Sequence, residues 1–315
     1  KINAIKLKKV KVSKNMKNNI AVIGLGSMGY GIATSCLRSG HLVWGVDTNI
    51  DQVKAFCSQG GQATTLNSVI DKIDVVVVVV LNSMQTEEVL FGQKGLVENL
   101  KPGTVVISCA TVAPTFAIDM EKRCKEFEVF YLDAPISGGA LKAKNGQLSI
   151  MASGVKEAFQ HARPTLDSIS ETVFELGDEA GTGSAMKSVN QLLAGVHIAV
   201  MAEALTFGIS QGISPDKFVE VISKCAGTSW MLENRAPHIV NGDYKPHSSI
   251  NIWPKDLGIV LDVALESKFN APIATAALEQ FRTAVDMGLG FEDDAAVAKV
   301  YAKSANLSLP KKNDV

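Results

Sequence analysis

The sequence predicts an α/β fold, with a doubly wound parallel sheet in the first half followed by an all-helical second half. Three observations carry this. Short apolar runs alternate with helical stretches from Asn19 to Leu176, the strand signal stops after Gly183, and a glycine-rich turn joins the first strand to the first helix. Strand-helix alternation of this kind encodes crossover connections between parallel strands. The 315 residues suggest about two domains. We expect a sheet domain over 16–180 and a helical domain over 181–308, with Gly181 and Gly183 at the junction. Residues 1–15 are expected to be a non-native or disordered tail, and 309–315 a disordered one.

The first strand is Asn19 to Ile23, apolar and β-branched as a buried parallel strand should be. Gly24-Leu25-Gly26-Ser27-Met28-Gly29 follows at once, then a helix from Tyr30 to Ser39 and a second strand from Leu42 to Val46. Asp47 ends that strand, 18 residues after Gly29. In this context the glycines read as a dinucleotide fingerprint of Rossmann type. Gly24 permits a tight turn, Gly26 lets the backbone approach a pyrophosphate, and Gly29 lets helix meet strand. Asp47 can accept hydrogen bonds from both ribose hydroxyls of NAD, whereas NADP would bring a phosphate against it. No arginine follows in Thr48, Asn49 and Ile50, so the expected cofactor is NAD.

Further strands are expected at Val75–Val80, Val105–Ser108, Val129–Leu132, Leu148–Ala152 and Val173–Leu176. Helices are expected near Asp51–Gln59, Met84–Leu90, Pro114–Lys125 and Val155–Ser168. The helical half should contain Ser184–Gln211, Pro215–Cys225, Asp256–Lys268, Pro272–Met287 and Ala295–Lys303. The valine run from Val75 is too short to span a bilayer.

Within the helical half, Lys187, Asn190 and Gln191 lie three and four residues apart and share one helix face. Lysine works as an acid or base near neutral pH only where a dry or cationic site lowers its pKa. The largely apolar neighbours Ala185, Met186, Val189 and Leu192 place Lys187 in an interdomain cleft. Ser137-Gly138-Gly139 follows the fifth strand, where ligands of open α/β sheets bind, and its adjacent glycines expose N–H groups that can cradle an anion.

Composition agrees with an enzyme core, at 46% hydrophobic residues. The five cysteines, Cys36, Cys57, Cys109, Cys124 and Cys225, lack C-x-x-C spacing, which fits a reducing cytoplasm and neither a disulfide framework nor a zinc site. The five histidines show no metal-like spacing, and His197 reads as a packed side chain on an apolar helix. Residues 1–15 carry six lysines and no acid, leaving the remainder six charges more negative than the net −1 of the whole chain. Met16, directly before the first strand, reads as a natural start. A nucleic-acid partner and a membrane are not expected.

Four segments together resemble the 3-hydroxyisobutyrate dehydrogenase family of β-hydroxyacid dehydrogenases. They are Gly24–Gly29, Asp133-Ala-Pro-Ile-Ser137-Gly138-Gly139, Gly183-Ser-Ala-Met-Lys187-Ser-Val-Asn-Gln191 and Lys255-Asp256-Leu257-Gly258, and the similarity runs from Asn19 to about Ser304. The resemblance implies a fold like that of 6-phosphogluconate dehydrogenase and oxidation of a small hydroxy acid. It further implies that Ser137, Gly138 and Gly139 hold the substrate carboxylate and that Lys187 is the general acid/base. Lys255 would reach back to the cofactor, Thr111 would lie near the nicotinamide, and Trp230 would form a wall of the substrate site.

The stretches Gln191–Ala199, Ser229–Met231, Glu233–Arg235, Asn241–Tyr244 and Phe291–Ala295 are similar to a branch that oxidises a four-carbon sugar acid at C2 with NAD. Many family members carry asparagine four residues after the lysine. Here Gln191 holds that place with Asn190 beside it, so either amide is a candidate for the substrate contact. The resemblance also implies a homodimer or homotetramer built through the helical domain. A sibling acting on 3-hydroxyisobutyrate or tartronate semialdehyde is the nearest rival. Oxidative decarboxylation of a sugar-acid phosphate would need a basic phosphate cluster that the chain lacks, and a non-catalytic nucleotide-binding module would be expected to lack Lys187.

Overall fold

The protein is described by a computed structural model covering residues 17–62 and 65–312. The expected tail at 1–15 and the natural start at Met16 lie outside the described residues. The sheet half runs β1 (Asn19–Ile23), α1 (Ser27–Arg38), β2 (Leu42–Val46), α2 (Ile50–Ser58), β3 (Val75–Val78), α3 (Ser83–Phe91), β4 (Val105–Ser108), α4 (Pro114–Lys125) and β5 (Phe130–Asp133). It continues through β6 (Ile136–Ser137), α5 (Gly139–Asn145), β7 (Leu148–Ala152), α6 (Lys156–Ile169) and β8 (Ser170–Glu175). The helical half is α7 (Thr182–Ser210), α8 (Pro215–Ile222), α9 (Trp230–Val240), α10 (Ile252–Glu266), α11 (Pro272–Asp286) and α12 (Ala298–Ser304).

Strands β1 to β5 form a parallel sheet in the order β2-β1-β3-β4-β5. Successive strand residues point to opposite faces. Val75 and Val77 therefore join Ile20, Val22 and Ile107 under α1 and α6, while Val76 and Val78 join Ala21, Ile23 and Val106 under α4. Burial on both faces explains why β3 is a run of valines and does not alternate.

The expected single sheet breaks after β5. Pro135 has no N–H to donate, and Gly138 at φ +134° turns the chain. Strand β6 therefore pairs antiparallel with β7, and β7 pairs parallel with β8 in a separate three-stranded sheet. Strand β8 begins at Ser170, earlier than the expected Val173. Helix α9 is not among the expected helices, and Pro237, a residue type that ordinarily interrupts a helix, lies inside it. Ser229 starts this helix, its side chain accepting from the Leu232 N–H at 3.1 Å.

The helical core gathers Ile198, Met201 and Leu205 of α7 with Trp253, Leu257 and Phe281. Leu309 packs on it, and Lys312 pairs with Asp243 at 3.2 Å. Residues 313–315 of the expected tail lie outside the described residues.

The start of α7 is bolted to the sheet half. Asp133 Oδ2 accepts the N–H groups of Gly181 at 2.9 Å and Ser184 at 2.7 Å, and its Oδ1 accepts the Ser184 hydroxyl at 2.6 Å. This carboxylate caps the helix N-terminus from a distant strand, satisfying donors that no local side chain reaches. A Cβ on Gly183 would stand 2.5 Å from the carbonyl oxygens of Asp133 and Met151, so only glycine allows the approach.

Candidate active site

Between the two halves opens a cleft of about 1700 Å³. The glycine-rich turn forms one end. Gly24 has φ +94°, and a Cβ there would meet the Val79 carbonyl oxygen at 2.3 Å. A Cβ on Gly29 would lie 1.8 Å from the Gly24 oxygen. A Cβ built on Gly26 would meet nothing within 4 Å, so that side of the turn is open to a ligand. Helix α1 has no side-chain cap and no acid in its first turn, which leaves its leading N–H groups to an anion. Ser27, Met28 and Thr111 line the cleft beside it.

Asp47 accepts the Leu25 N–H at 2.6 Å and the Asn49 N–H at 2.7 Å, so its carboxylate is fixed next to the turn. Each oxygen keeps capacity for a further hydrogen bond. An open helix N-terminus with a fixed acid one strand away fits the pyrophosphate and ribose of a dinucleotide.

Lys187 lines the cleft and is 8% exposed. Its Nζ donates to the Ile136 carbonyl at 2.8 Å, one residue before Ser137-Gly138-Gly139. Burial lowers its pKa from 10.5 to about 8, with Asp256 opposing the shift and Lys255 adding to it. Ser137, Gly138 and Gly139 line the same cleft, with Gly138 at φ +134° and Gly139 at φ +74°. The side chain of Asp133, which belongs to the same sequence motif, is engaged in capping α7.

Both amides of α7 line the cleft and are linked to each other. Asn190 Nδ2 donates to Gln191 Oε1 at 2.9 Å, and Gln191 Nε2 donates to Asp256 Oδ2 at 2.5 Å. Gln191 is thereby spoken for at both ends of its amide, whereas Asn190 Oδ1 takes no donor among the described residues. Lys255, on the first turn of α10, lies 2.5 Å from Asp256 Oδ1 as an ion pair. Trp230 is 59% exposed at the cleft wall and is not part of the helical core.

The structure adds residues that sequence reasoning did not select. Asp256 is 3% exposed and connects Lys255 to Gln191. His197 lines the cleft and is only half-buried, in contrast to its expected packed position. Asn234, Arg235, His238 and His247 line the helical end. The spacing of Asn234 and His238, four apart, was a signal available in the sequence; their partners on the α12 side were not. No group of three or more metal-ligating side chains occurs among the described residues.

Residues 19–177 match a family described as the NAD binding domain of 6-phosphogluconate dehydrogenase. Residues 181–301 match one described as NAD-binding of NADP-dependent 3-hydroxyisobutyrate dehydrogenase. The chain belongs to the 3-hydroxyisobutyrate dehydrogenase family. As a member, it is a nicotinamide-dependent dehydrogenase acting on a CH–OH group. The L-threonate dehydrogenase of Cupriavidus necator is 46% identical over 91% of this chain and 97% of that one. The enzyme of the same name from Escherichia coli K12 is 42% identical over 90% and 95%. A crystal structure titled 3-hydroxyisobutyrate dehydrogenase, from Salmonella typhimurium, has 40% identity and a TM-score of 0.84, covering 89% of this chain and 99% of that one.

Proposed function

We propose that this enzyme oxidises L-threonate at C2 with NAD, giving 2-oxo-tetronate (2-dehydro-L-erythronate), with Lys187 as general base. The observation that carries the reading is the placement of Lys187. A buried amine whose pKa is lowered to about 8 is tethered one residue from the Ser137-Gly138-Gly139 turn. The relatives named L-threonate dehydrogenase support the choice of acid.

In this mechanism Ser137 donates its hydroxyl, and Gly138 and Gly139 their N–H groups, to the substrate carboxylate. The neutral Lys187 amine takes the proton from the C2 hydroxyl. Asn190 orients that hydroxyl by donating the second N–H of its Nδ2 to the hydroxyl oxygen. Gln191 holds Asp256, which keeps Lys255 at the cleft wall facing the cofactor. Gly24 to Gly29 and Asp47 would hold NAD, with Thr111 on the side of the cleft where its nicotinamide would react, and Trp230 would close the substrate side. Bound there, NAD supplies the hydride acceptor.

The test is NADH formation at 340 nm with L-threonate, 3-hydroxyisobutyrate and D-glycerate, the hydroxy acid that corresponds to tartronate semialdehyde. L-threonate is expected to give the highest kcat/KM. The Salmonella structure's title keeps 3-hydroxyisobutyrate in the set. If that acid were the better substrate, the sibling reading would replace ours, and no turnover with any acid would favour a nucleotide-binding module.

The protein acts as a homodimer or homotetramer through the helical domain. Met186, Val189, Leu193, Val200 and Phe207 of α7 are 44–65% exposed, and their spacing of three, four and seven puts them on one stripe. Such a seam suits a second copy of the helix. Helix α7 is also the one described helix long and apolar enough to cross a membrane, but half of its most apolar window is packed inside the fold. The seam accounts for much of the rest of its apolar surface. Val200→Asp with Phe207→Asp is expected to shift the mass measured by light scattering to that of a monomer, and an unchanged mass would place the interface elsewhere. The scattered free cysteines favour the cytoplasm as the compartment.

A further inference from the structure

We infer that the helical-domain end of the cleft is a hydroxyl-recognition lobe, in which Asn234 and His238 select a substrate with one carboxylate and an uncharged, hydroxylated tail. This rests on the reading of the enzyme as a hydroxy-acid dehydrogenase and adds what the far end of that acid must be.

Asn234 and His238 lie four apart on α9, so they share a face, and both line the cleft. His238 Nδ1 is 2.8 Å from Asp293 Oδ1. Asp293 is fully buried and also accepts the N–H groups of His247 at 2.9 Å and Ala295 at 3.1 Å. In the tautomer in which Nδ1–H donates to this carboxylate, Nε2 is an acceptor. Among the described residues nothing else bonds to Nε2. Asn234 Oδ1 accepts from Arg235, which leaves its Nδ2 free to donate. One free acceptor and one free donor four residues apart complement an alcohol, which gives one hydrogen bond and takes another.

The charges of this end argue against a second anion. Arg235, its cation, is paired with Asp294 at 2.5 Å, and the other oxygen of Asp294 takes the Trp253 indole N–H at 3.1 Å. With Asp293 behind His238, the acids outnumber the guanidinium. A carboxylate or phosphate on the substrate tail would find no unpaired cation here. A methyl group in place of the hydroxyl would leave Asn234 and His238 without partners. The segments 233–235 and 293–294, far apart in sequence, thus meet to form one wall.

The experiment compares L-threonate with its 4-deoxy analogue, which has a methyl at the terminal carbon, and with tartrate of matching configuration, which has a second carboxylate there. The wild-type kcat/KM should favour L-threonate over each by about 100-fold or more, since sites built to bond a hydroxyl reject analogues that lack it. Asn234 is exposed, so Asn234→Leu should keep the melting temperature while cutting the preference over the 4-deoxy acid at least tenfold. His238→Leu should do the same if it folds. Equal wild-type efficiency on the two acids, or efficient oxidation of tartrate, would overturn the lobe and leave the reaction standing. Failure to oxidise any acid would overturn the reaction and the lobe with it.

Discussion

Lys187→Met will cut kcat by about 10²–10⁴-fold while NAD still binds, because a positioned base contributes on that scale. An amine at its ordinary pKa of 10.5 is neutral in only about three molecules per ten thousand at pH 7. At a pKa of about 8 the neutral share is roughly one tenth, a gain of about 300-fold in competent base. A bound cationic nicotinamide would lower it further. The wild-type kcat/KM should therefore rise with pH along a single-proton limb with a midpoint at or below about 8, and the variant should lose that limb. NAD binding, followed by fluorescence or calorimetry, should change little, since Gly24–Gly29 and Asp47 stand on other elements. A variant that kept both the limb and more than a tenth of the rate would show that another residue is the base.

The same lysine links activity to stability. Its folded pKa is below its unfolded one, so the unfolded chain binds more protons between about pH 8 and 10.5, and stability rises with pH across that window. Below it the buried ammonium costs on the order of 3 kcal/mol at most, and above it nothing. Lys187→Met should therefore match or exceed the wild-type melting temperature at pH 7, after allowance for the lost bond to the Ile136 carbonyl. Activity falls while stability does not, which separates a base from a structural side chain.

What the sequence disclosed follows from how locally each feature is encoded. The glycine turn, the strand before it and Asp47 lie within 29 residues, and each has a residue type that local geometry demands. Their arrangement is legible without any tertiary knowledge. Lys187 was legible as a lysine on an apolar helix, but its partner is the Ile136 carbonyl, 51 residues away. The choice between Asn190 and Gln191 was open in sequence because both share a face. What bears on it is Asp256, 65 residues on, which takes the Gln191 amide. The break between β5 and β6 was not legible because Ser137-Gly138-Gly139 reads as an anion cradle, while Pro135 and Gly138 also end the strand. Helix α9 was not legible because Pro237 sits inside it, and what overrides the lost bond is the packing of Leu232, Ala236 and Ile239 into the core, a tertiary effect. The polar wall at the helical end depends on buried acids near the end of the chain, and no local pattern announces that contact.

Asp47→Ala will reduce the preference for NAD over NADP by about two to three orders of magnitude. The helical half matches a family described by NADP dependence, so kinship does not decide the cofactor, and the end of β2 does. A 2′-phosphate placed about 4 Å from the Asp47 carboxylate meets a repulsion of roughly 4 kcal/mol per unit charge at an effective dielectric of 20, close to 10³ in affinity. Both carboxylate oxygens are pinned by the Leu25 and Asn49 N–H groups, so the side chain has no free rotation by which to swing away from the phosphate. Truncation also frees those two N–H groups and loosens the turn, which weakens both cofactors. The ratio of kcat/KM values for NAD and NADP cancels that shared loss and isolates the charge. In the wild type the ratio should exceed about 100, and in the variant it should fall toward unity even as both efficiencies drop. Equal use of the two cofactors by the wild type would mean that Asp47 serves only to brace the glycine turn.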